Sequence, residues 1–168
     1  MNQLKLPSNL SLGSTRFTAG CRKAFRRVTL SPFLTRLYDS ISAQQSLGDR
    51  GEREAERFFL RGGWVTIDRG YSDKFGEIDL IMVDSETLVF VEVKTRTTDY
   101  GGDPTEAVDK EKIQRITLTS QGFIRRFCLQ DCRIRYDVVS INWPNHDQSP
   151  LLKHYPAAFE PAGKFQMF

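Results

Sequence analysis

Two apolar runs that contain charged residues constrain the fold of this chain more than any other feature. The runs span residues 76–83 and 88–94, and residues 84–87 between them are polar. A short polar segment between two apolar runs is typical of a tight turn joining two strands. The sequence therefore predicts a β-hairpin that carries four charged side chains, namely Glu77, Asp79, Glu92 and Lys94.

The turn fixes which residues of the hairpin face each other. If Ser85 and Glu86 form a two-residue loop, Asp84 lies opposite Thr87, and all other pairs follow from that register. One face of the hairpin then carries only apolar pairs, which suits a core. The predicted pairs on this face are Ile78 with Val93, Leu80 with Val91 and Met82 with Val89.

The opposite face pairs Val83 with Leu88 and Ile81 with Phe90, and then becomes charged: Asp79 is predicted opposite Glu92, and Glu77 opposite Lys94. Opposed like charges destabilise a sheet, since their Cβ atoms lie about 4.5–5.5 Å apart. A divalent cation such as Mg²⁺ removes this repulsion, because it is typically held by one or two carboxylates with waters and phosphate oxygens.

An adjacent lysine extends this chemistry. A metal that activates water and a lysine that orients or deprotonates the nucleophile together suit phosphodiester hydrolysis. A solvated ion network is the competing interpretation. The apolar residues on the same face argue against it, because they indicate that the face is covered.

At these residues the chain resembles the restriction-endonuclease-like nucleases, whose signature is an Asp on one strand and Asp/Glu-x-Lys on the next. It is more closely similar to the YraN-like proteins, uncharacterised protein family 0102. That resemblance extends over most of the chain, from about Leu47 to Trp143. It rests on Gly48-x-x-Gly51-Glu52-x-x-Ala55, Gly76-Glu77-Ile78-Asp79-Leu80-Ile81, Val89-Phe90-Val91-Glu92-Val93-Lys94-Thr95-Arg96 and Tyr136-Asp137-Val138-Val139.

The resemblance implies an α/β fold with an αβββαβ core, in which helices flank a mixed central sheet. This core is similar to that of archaeal Holliday-junction resolvases. The implied metal ligands for Mg²⁺ or Mn²⁺ are Asp79, Glu92 and the carbonyl of Val93. Lys94 would position the attacking water, and Glu52 on the first helix would complete the catalytic set.

The expected function is metal-dependent endonucleolytic cleavage of DNA, with branched or otherwise structured DNA as the expected substrate. Arg96, Lys112 and Arg115 are candidate phosphate contacts. Symmetric cutting of a junction would require a homodimer. The alternative function is a nucleic-acid-binding or adaptor protein that keeps the nuclease fold without turnover.

The composition is that of one globular domain with an unusual N-terminal extension. Residues 1–43 contain seven Lys/Arg and one acid and have a charge of +6, whereas the other 17 basic and 20 acidic residues give −3. We predict a disordered basic extension (1–43), a nuclease-like domain (44–160) and a C-terminal tail (161–168). The extension is open to three interpretations: a nucleic-acid-binding arm, a targeting peptide, or a neutral segment that includes a misplaced translation start.

No run of the sequence is long and apolar enough to span a bilayer, so no membrane association is expected. Three sparse cysteines (Cys21, Cys128 and Cys132) indicate reduced thiols and a cytoplasmic protein rather than a zinc site.

Helical spacing predicts a first helix over Ser46–Gly63 and a second with its apolar face between Ile113 and Phe127. Further strands are predicted over Trp64–Tyr71 and Arg133–Trp143, and a loop over Thr97–Pro104. Residues 154–159 are expected to pack back on the core. His146 and His154 have no evident catalytic partner in the sequence.

Overall fold

One five-stranded sheet and two helices make up the described part of the chain. The structure, a computed structural model, describes residues 46–97, 109–144 and 149–163. Its elements in chain order are α1 (Leu47–Arg61), β1 (Val65–Ser72), β2 (Glu77–Asp84), β3 (Thr87–Arg96), α2 (Lys110–Phe127), β4 (Arg133–Asn142) and β5 (Leu151–Tyr155). The predicted basic extension, most of the predicted Thr97–Pro104 loop and His146 lie outside the described residues.

The sheet is mixed, with the strand order β1-β2-β3-β4-β5. β3 and β4 are parallel and are connected through α2, whereas the other neighbouring strands are antiparallel. The predicted αβββαβ core is therefore confirmed. β5 is an additional edge strand that was not predicted, and it overlaps the segment 154–159 at His154 and Tyr155. Tyr155, Ala158 and Phe159 pack against the core, as expected for that segment.

Each face of the sheet is covered by one helix, which explains why the central strands are nearly continuous apolar runs. On the first face α1 buries Ala55 and Phe59 against Leu80, Met82, Val89, Val91, Val139 and Ile141. On the second face α2 buries Ile116, Phe123 and Ile124 against Ile81, Val83, Leu88, Phe90 and Val138.

The β2–β3 hairpin has the predicted register near its turn. The pairs that form run from Asp84–Thr87 to Leu80–Val91. Ser85 begins the turn with a φ of 56°, in the left-handed region.

The predicted register is wrong beyond Leu80. The pairs Ile78–Val93, Asp79–Glu92 and Glu77–Lys94 are not among those that form between β2 and β3. β2 instead continues along β1, where it pairs as far as Ser72–Glu77. Ile78 accordingly packs in the core beneath α2, not with Leu80 and Met82. The two strands separate at the point where the charged residues begin.

Helix α1 is fixed at its N-terminus and contacts β3 very closely. Ser46 caps the helix through a reciprocal pair of hydrogen bonds with Asp49, the capping-box arrangement. One turn later a Cβ atom built on Gly51 would lie 1.9 Å from Thr95 Oγ1. Only glycine fits at this position, and the close contact brings the next residue, Glu52, to the end of β3.

A buried ion cluster joins β4 to β5 and to the hairpin turn. Asp137 is fully buried and accepts hydrogen bonds from Arg135 (2.9 Å), His154 (2.8 Å) and the Ala157 N–H (3.0 Å). Arg135 also donates to Asp84 at 3.0 Å. His154, for which the sequence indicated no catalytic partner, thus has a structural partner in Asp137. Its partner lies 17 residues away in sequence.

No helix among the described residues is long and apolar enough to cross a bilayer.

Candidate active site

Glu92 is the central residue of the candidate site. It lies on β3 with 4% of its surface exposed. Its Oε1 atom accepts a hydrogen bond from Lys94 Nζ of β3 at 2.8 Å and forms an ion pair with Lys112 Nζ of α2 at 3.0 Å. Its Oε2 atom is buried and has no hydrogen-bond partner within the described residues. A buried carboxylate oxygen without a partner is costly, and this oxygen is therefore the atom of Glu92 at which a further ligand would be stabilising.

Asp79 lies where β2 leaves β3. Its Oδ2 atom accepts a hydrogen bond of 2.6 Å from the backbone N–H of Val93. The side chain of Asp79 thus accepts a hydrogen bond from β3 beyond Leu80 and Val91, the last residues that pair β2 with β3. Burial, followed by the negative charge of Glu92, raises the pKa of Asp79 to about 7.

Glu52 reaches the same space from α1. Burial is the main reason that its pKa rises to about 7, and the charges of Asp49, Glu77 and Glu92 add to the effect. The charge of Glu52 in turn contributes to the raised pKa of Asp79. Three carboxyl groups from α1, β2 and β3 therefore share one electrostatic environment, as expected for a site that holds a cation.

The structure brings the four predicted catalytic residues together, but by different contacts from those that the hairpin register implied. Lys94 pairs with Glu92 on its own strand rather than with Glu77. Glu77 is exposed and acts on the site only through its charge. Asp79 and Glu92 approach each other where the sheet opens, not as a ladder pair.

The three predicted phosphate contacts differ in position. Lys112 is bound to Glu92 and so belongs to the carboxylate site itself, a role that sequence spacing did not indicate. Arg115 lies one turn further along α2, is exposed, and pairs with Glu111. Arg96 lies at the end of β3, where its carbonyl accepts from the Trp143 N–H at 2.9 Å.

The residues present fit a hard divalent cation. Within residues 46–97, 109–144 and 149–163, no three His, Cys, Asp or Glu side chains form a ready-made metal-binding group. Mg²⁺ does not need one, since one or two carboxylates with waters and substrate phosphate suffice. Asp79 and Glu92 would supply these carboxylates, and the unpartnered Oε2 of Glu92 is the oxygen best suited to accept a cation.

Comparison with known proteins identifies the family. The sequence profile of the Uncharacterised protein family UPF0102 matches residues 51–141. The chain belongs to the UPF0102 family. The match extends from α1 to β4 and includes every residue of the candidate site. Membership in the YraN-like proteins, predicted from the four motifs, is confirmed.

UPF0102 proteins from several bacteria are similar to this protein over most of the chain. The protein from Rhodopirellula baltica is 38% identical over 129 residues, which cover 75% of this chain and 77% of the relative. The Rhodococcus opacus protein is 40% identical over 114 residues, which cover 68% and 96%. The Clostridium tetani protein is 32% identical over 119 residues, which cover 71% and 98%.

Proposed function

We propose that this UPF0102 protein is a Mg²⁺- or Mn²⁺-dependent endonuclease that hydrolyses phosphodiester bonds in DNA. The main support is the state of Glu92. Its carboxylate is buried, one oxygen is held by two lysines, and the other has no partner in the described part of the chain. A cation bound to Glu92 Oε2, beside Asp79, would balance the charge of the Glu92 carboxylate, whose burial is otherwise unfavourable.

The bound metal would act as a Lewis acid on the phosphate and on a bound water. Asp79 and Glu92, with the Val93 carbonyl as a further oxygen, would hold it. In hydrolysis, water adds to phosphorus, the bond to the leaving sugar oxygen breaks, and that oxygen takes up a proton. Lys94 Nζ would orient the attacking water, and Glu52 would accept its proton or hold a water at the metal.

Lys112 would stabilise the negative charge that develops on the phosphate, because it reaches the site from α2 and already lies 3.0 Å from Glu92. Arg115 and Arg96 would contact the phosphates that flank the cleaved bond. Cleavage of both strands of a junction would require two such sites, which a homodimer would supply.

A metal-dependent cleavage panel tests this proposal. Linear, nicked, flapped and four-way DNA should be cut by the wild type in Mg²⁺ or Mn²⁺ and left intact by Lys94→Ala. Lys110→Ala is a matched control, since Lys110 is an exposed lysine at the start of α2. Activity that survives Lys94→Ala, or no activity on any DNA or RNA, would contradict the proposal.

Metal binding gives a second, independent measurement. Glu92→Gln keeps the shape of the side chain but removes the charge, so calorimetry should show Mn²⁺ affinity falling more than about 100-fold, the upper range for substitutions next to metal ligands. Glu111→Gln, at an exposed acid of α2, should bind Mn²⁺ like the wild type. Equal affinity in the two variants would place the metal elsewhere.

A second candidate function is a DNA-binding or adaptor protein without turnover. It is favoured by the same two lysines, because they partly neutralise Glu92 without a metal. DNA binding that is unchanged by EDTA and by Asp79→Ala, in a protein that cleaves nothing, would support this second function.

A further inference from the structure

The turn between β1 and β2 is a rigid structure held against α2. Asp73 Oδ1 accepts hydrogen bonds from the N–H groups of Phe75 (2.8 Å) and Gly76 (3.3 Å). The same oxygen accepts from Thr119 Oγ1, a buried group of α2, at 2.9 Å. The Asp73 N–H donates to the Gly76 carbonyl at 2.9 Å. One carboxylate therefore fixes both the shape of the turn and its position on the helix.

Two glycines allow this close approach. A Cβ atom on Gly122 of α2 would lie 2.9 Å from Asp73 Oδ2, and one on Gly76 would lie 3.2 Å from the Cβ of Arg115. The first distance is shorter than real side chains permit, and the second is tight. The turn thus packs directly on the part of α2 that carries Arg115, Thr119 and Gly122.

The most prominent side chain of this turn is an exposed phenyl ring. Phe75 is 41% exposed, although the groups on both sides of it are fixed. Lys74 Nζ lies 4.9 Å from the centre of the Phe75 ring, and Arg115 packs against the neighbouring Gly76. With the Lys74 ammonium over one face, the ring can stack on a base through its other face while the ammonium pairs with a phosphate of the same nucleotide.

The turn that carries the ring is close to the candidate site along the chain. Phe75 precedes Asp79 by four residues, so at a strand rise of about 3.3 Å per residue their Cα atoms are at most about 13 Å apart. Bases stack at about 3.4 Å along one DNA strand. The separation of the two Cα atoms thus corresponds to about four stacked nucleotides, so a base at Phe75 and a phosphate at Asp79 and Glu92 fit on one short stretch of DNA.

We propose that Phe75 stacks on the exposed face of a terminal base pair or an unpaired base, so that the site acts on DNA whose helix is interrupted near the cleaved bond. This inference rests on the proposed nuclease function for the position of that bond. In continuous duplex, insertion of the ring would require two neighbouring base pairs to unstack, which is unfavourable. At a fork, flap or junction a base already lacks a stacking neighbour, and that cost is absent.

Binding measurements with Ca²⁺ in place of Mg²⁺ test the inference apart from cleavage. The probe is a forked DNA with 2-aminopurine at the first unpaired position, compared with linear duplex of the same sequence. The wild type should prefer the fork and quench the probe. Phe75→Ala should weaken fork binding about tenfold, in the range for loss of one stacked base, and leave duplex binding unchanged. Phe75→Trp keeps an aromatic ring at this position, so it should keep the preference for forked DNA and the quenching of 2-aminopurine.

Two further variants separate stacking from general effects. Phe58→Ala is the matched control, since Phe58 is also 41% exposed but lies near the C-terminal end of α1, and it should behave like the wild type. Thr119→Val removes the hydrogen bond to Asp73 and should reduce the fork preference while Phe75 is still present.

The inference is overturned if Phe75→Ala keeps the fork preference and the quenching, if Phe58→Ala loses them equally, or if the wild type prefers no interrupted DNA. Failure of the nuclease proposal has a different signature: binding and quenching would depend on Phe75, but no DNA would be cut in a Lys94-dependent manner.

Discussion

Glu92 illustrates how one side chain can link three elements. The carboxylate belongs to β3, but the ammonium groups that stabilise it come from β3 and α2, and Glu52 on α1 feels its charge. The buried carboxylate would become more costly without either lysine, because the low dielectric of the interior strengthens every unbalanced charge interaction. The position of α2 on the sheet is therefore part of the candidate site.

Asp137 provides a pH test of the fold that is separate from the candidate site. Burial alone would raise the pKa of Asp137, but hydrogen bonds from His154, Arg135 and the Ala157 N–H outweigh it and hold the pKa below its usual range. A carboxyl with a lowered folded-state pKa stabilises the fold above its unfolded pKa of about 4, and this contribution is lost as the pH falls through the folded value.

We therefore expect Asp137→Asn to destabilise the protein at pH 6 by about 3–5 kcal/mol, the cost of breaking a buried ion pair. The difference in unfolding free energy between the wild type and Asp137→Asn should be smaller when urea unfolding is repeated near pH 3. Asp131→Asn, at an exposed acid in the turn before β4, serves as a control and should change stability little at either pH. A deficit that is equal at both pH values would show that the charge of Asp137 is not what stabilises the cluster.

At the scale of elements, the contact of α1 with β3 is the most sensitive junction. We expect Gly51→Ala to lower stability by about 1–3 kcal/mol, because the new methyl group would overlap Thr95 Oγ1 and push the helix from the strand. Glu52 would move with the helix, so the rate of the proposed cleavage reaction should fall by more than the loss of folded protein explains. Thermal unfolding and cleavage rates of the same preparations measure both effects.

Gly48→Ala is the control in the same helix. A Cβ atom there would meet only Ser46 Oγ, at 3.6 Å, so we expect no loss of stability or activity. The double variant Gly51→Ala/Thr95→Ala removes the overlapping oxygen and should recover part of the stability. If Gly51→Ala is as stable and active as Gly48→Ala, the close contact does not position Glu52.

Sequence patterns predicted the elements because helical spacing, caps and turn residues act over short distances. The register of the hairpin followed from its turn, and it failed beyond Leu80, where pairing with β1 decides the path of β2. The role of Lys112 was missed for a related reason. Its contact with Glu92 depends on how α2 lies across the sheet, which no local pattern encodes.

Strand β5 and the contact of its His154 with Asp137 were not predicted, for a similar reason. Leu151–Tyr155 is short and only partly buried, so it lacks the apolar alternation that identifies a strand. The His154–Asp137 contact joins residues from two neighbouring strands. A pairing of this kind becomes visible only when the order of strands in the sheet is known.

At the scale of the whole molecule, the distribution of charge separates the N-terminal extension from the rest. Residues 1–43 have a charge of +6, and the remaining residues have −3. If the extension is a nucleic-acid-binding arm, Arg26→Gln/Arg27→Gln should lower DNA affinity and reduce the salt dependence of binding. The slope of log K against log salt should become shallower by about 0.9 for each phosphate that the variant no longer neutralises.

A matched pair of arginines controls for net charge in that experiment. Arg125 and Arg126 are exposed in the last turn of α2, so Arg125→Gln/Arg126→Gln removes the same charge from the folded domain. A smaller change in salt slope for this pair would support an arm that binds DNA. Equal slopes for the two variants would favour a neutral extension.

The hydrogen bond from the Val93 N–H to Asp79 has a spectroscopic consequence. This amide donates to a side chain, so its proton is sensitive to whether that carboxylate is protonated, ionised or bound to a cation. In an NMR titration, the chemical shift and the solvent exchange rate of the Val93 amide should therefore change with pH and with added Mg²⁺. The Val93 amide signal would therefore report whether the Asp79 carboxylate is protonated, ionised or bound to a cation, and no substrate is needed to record it.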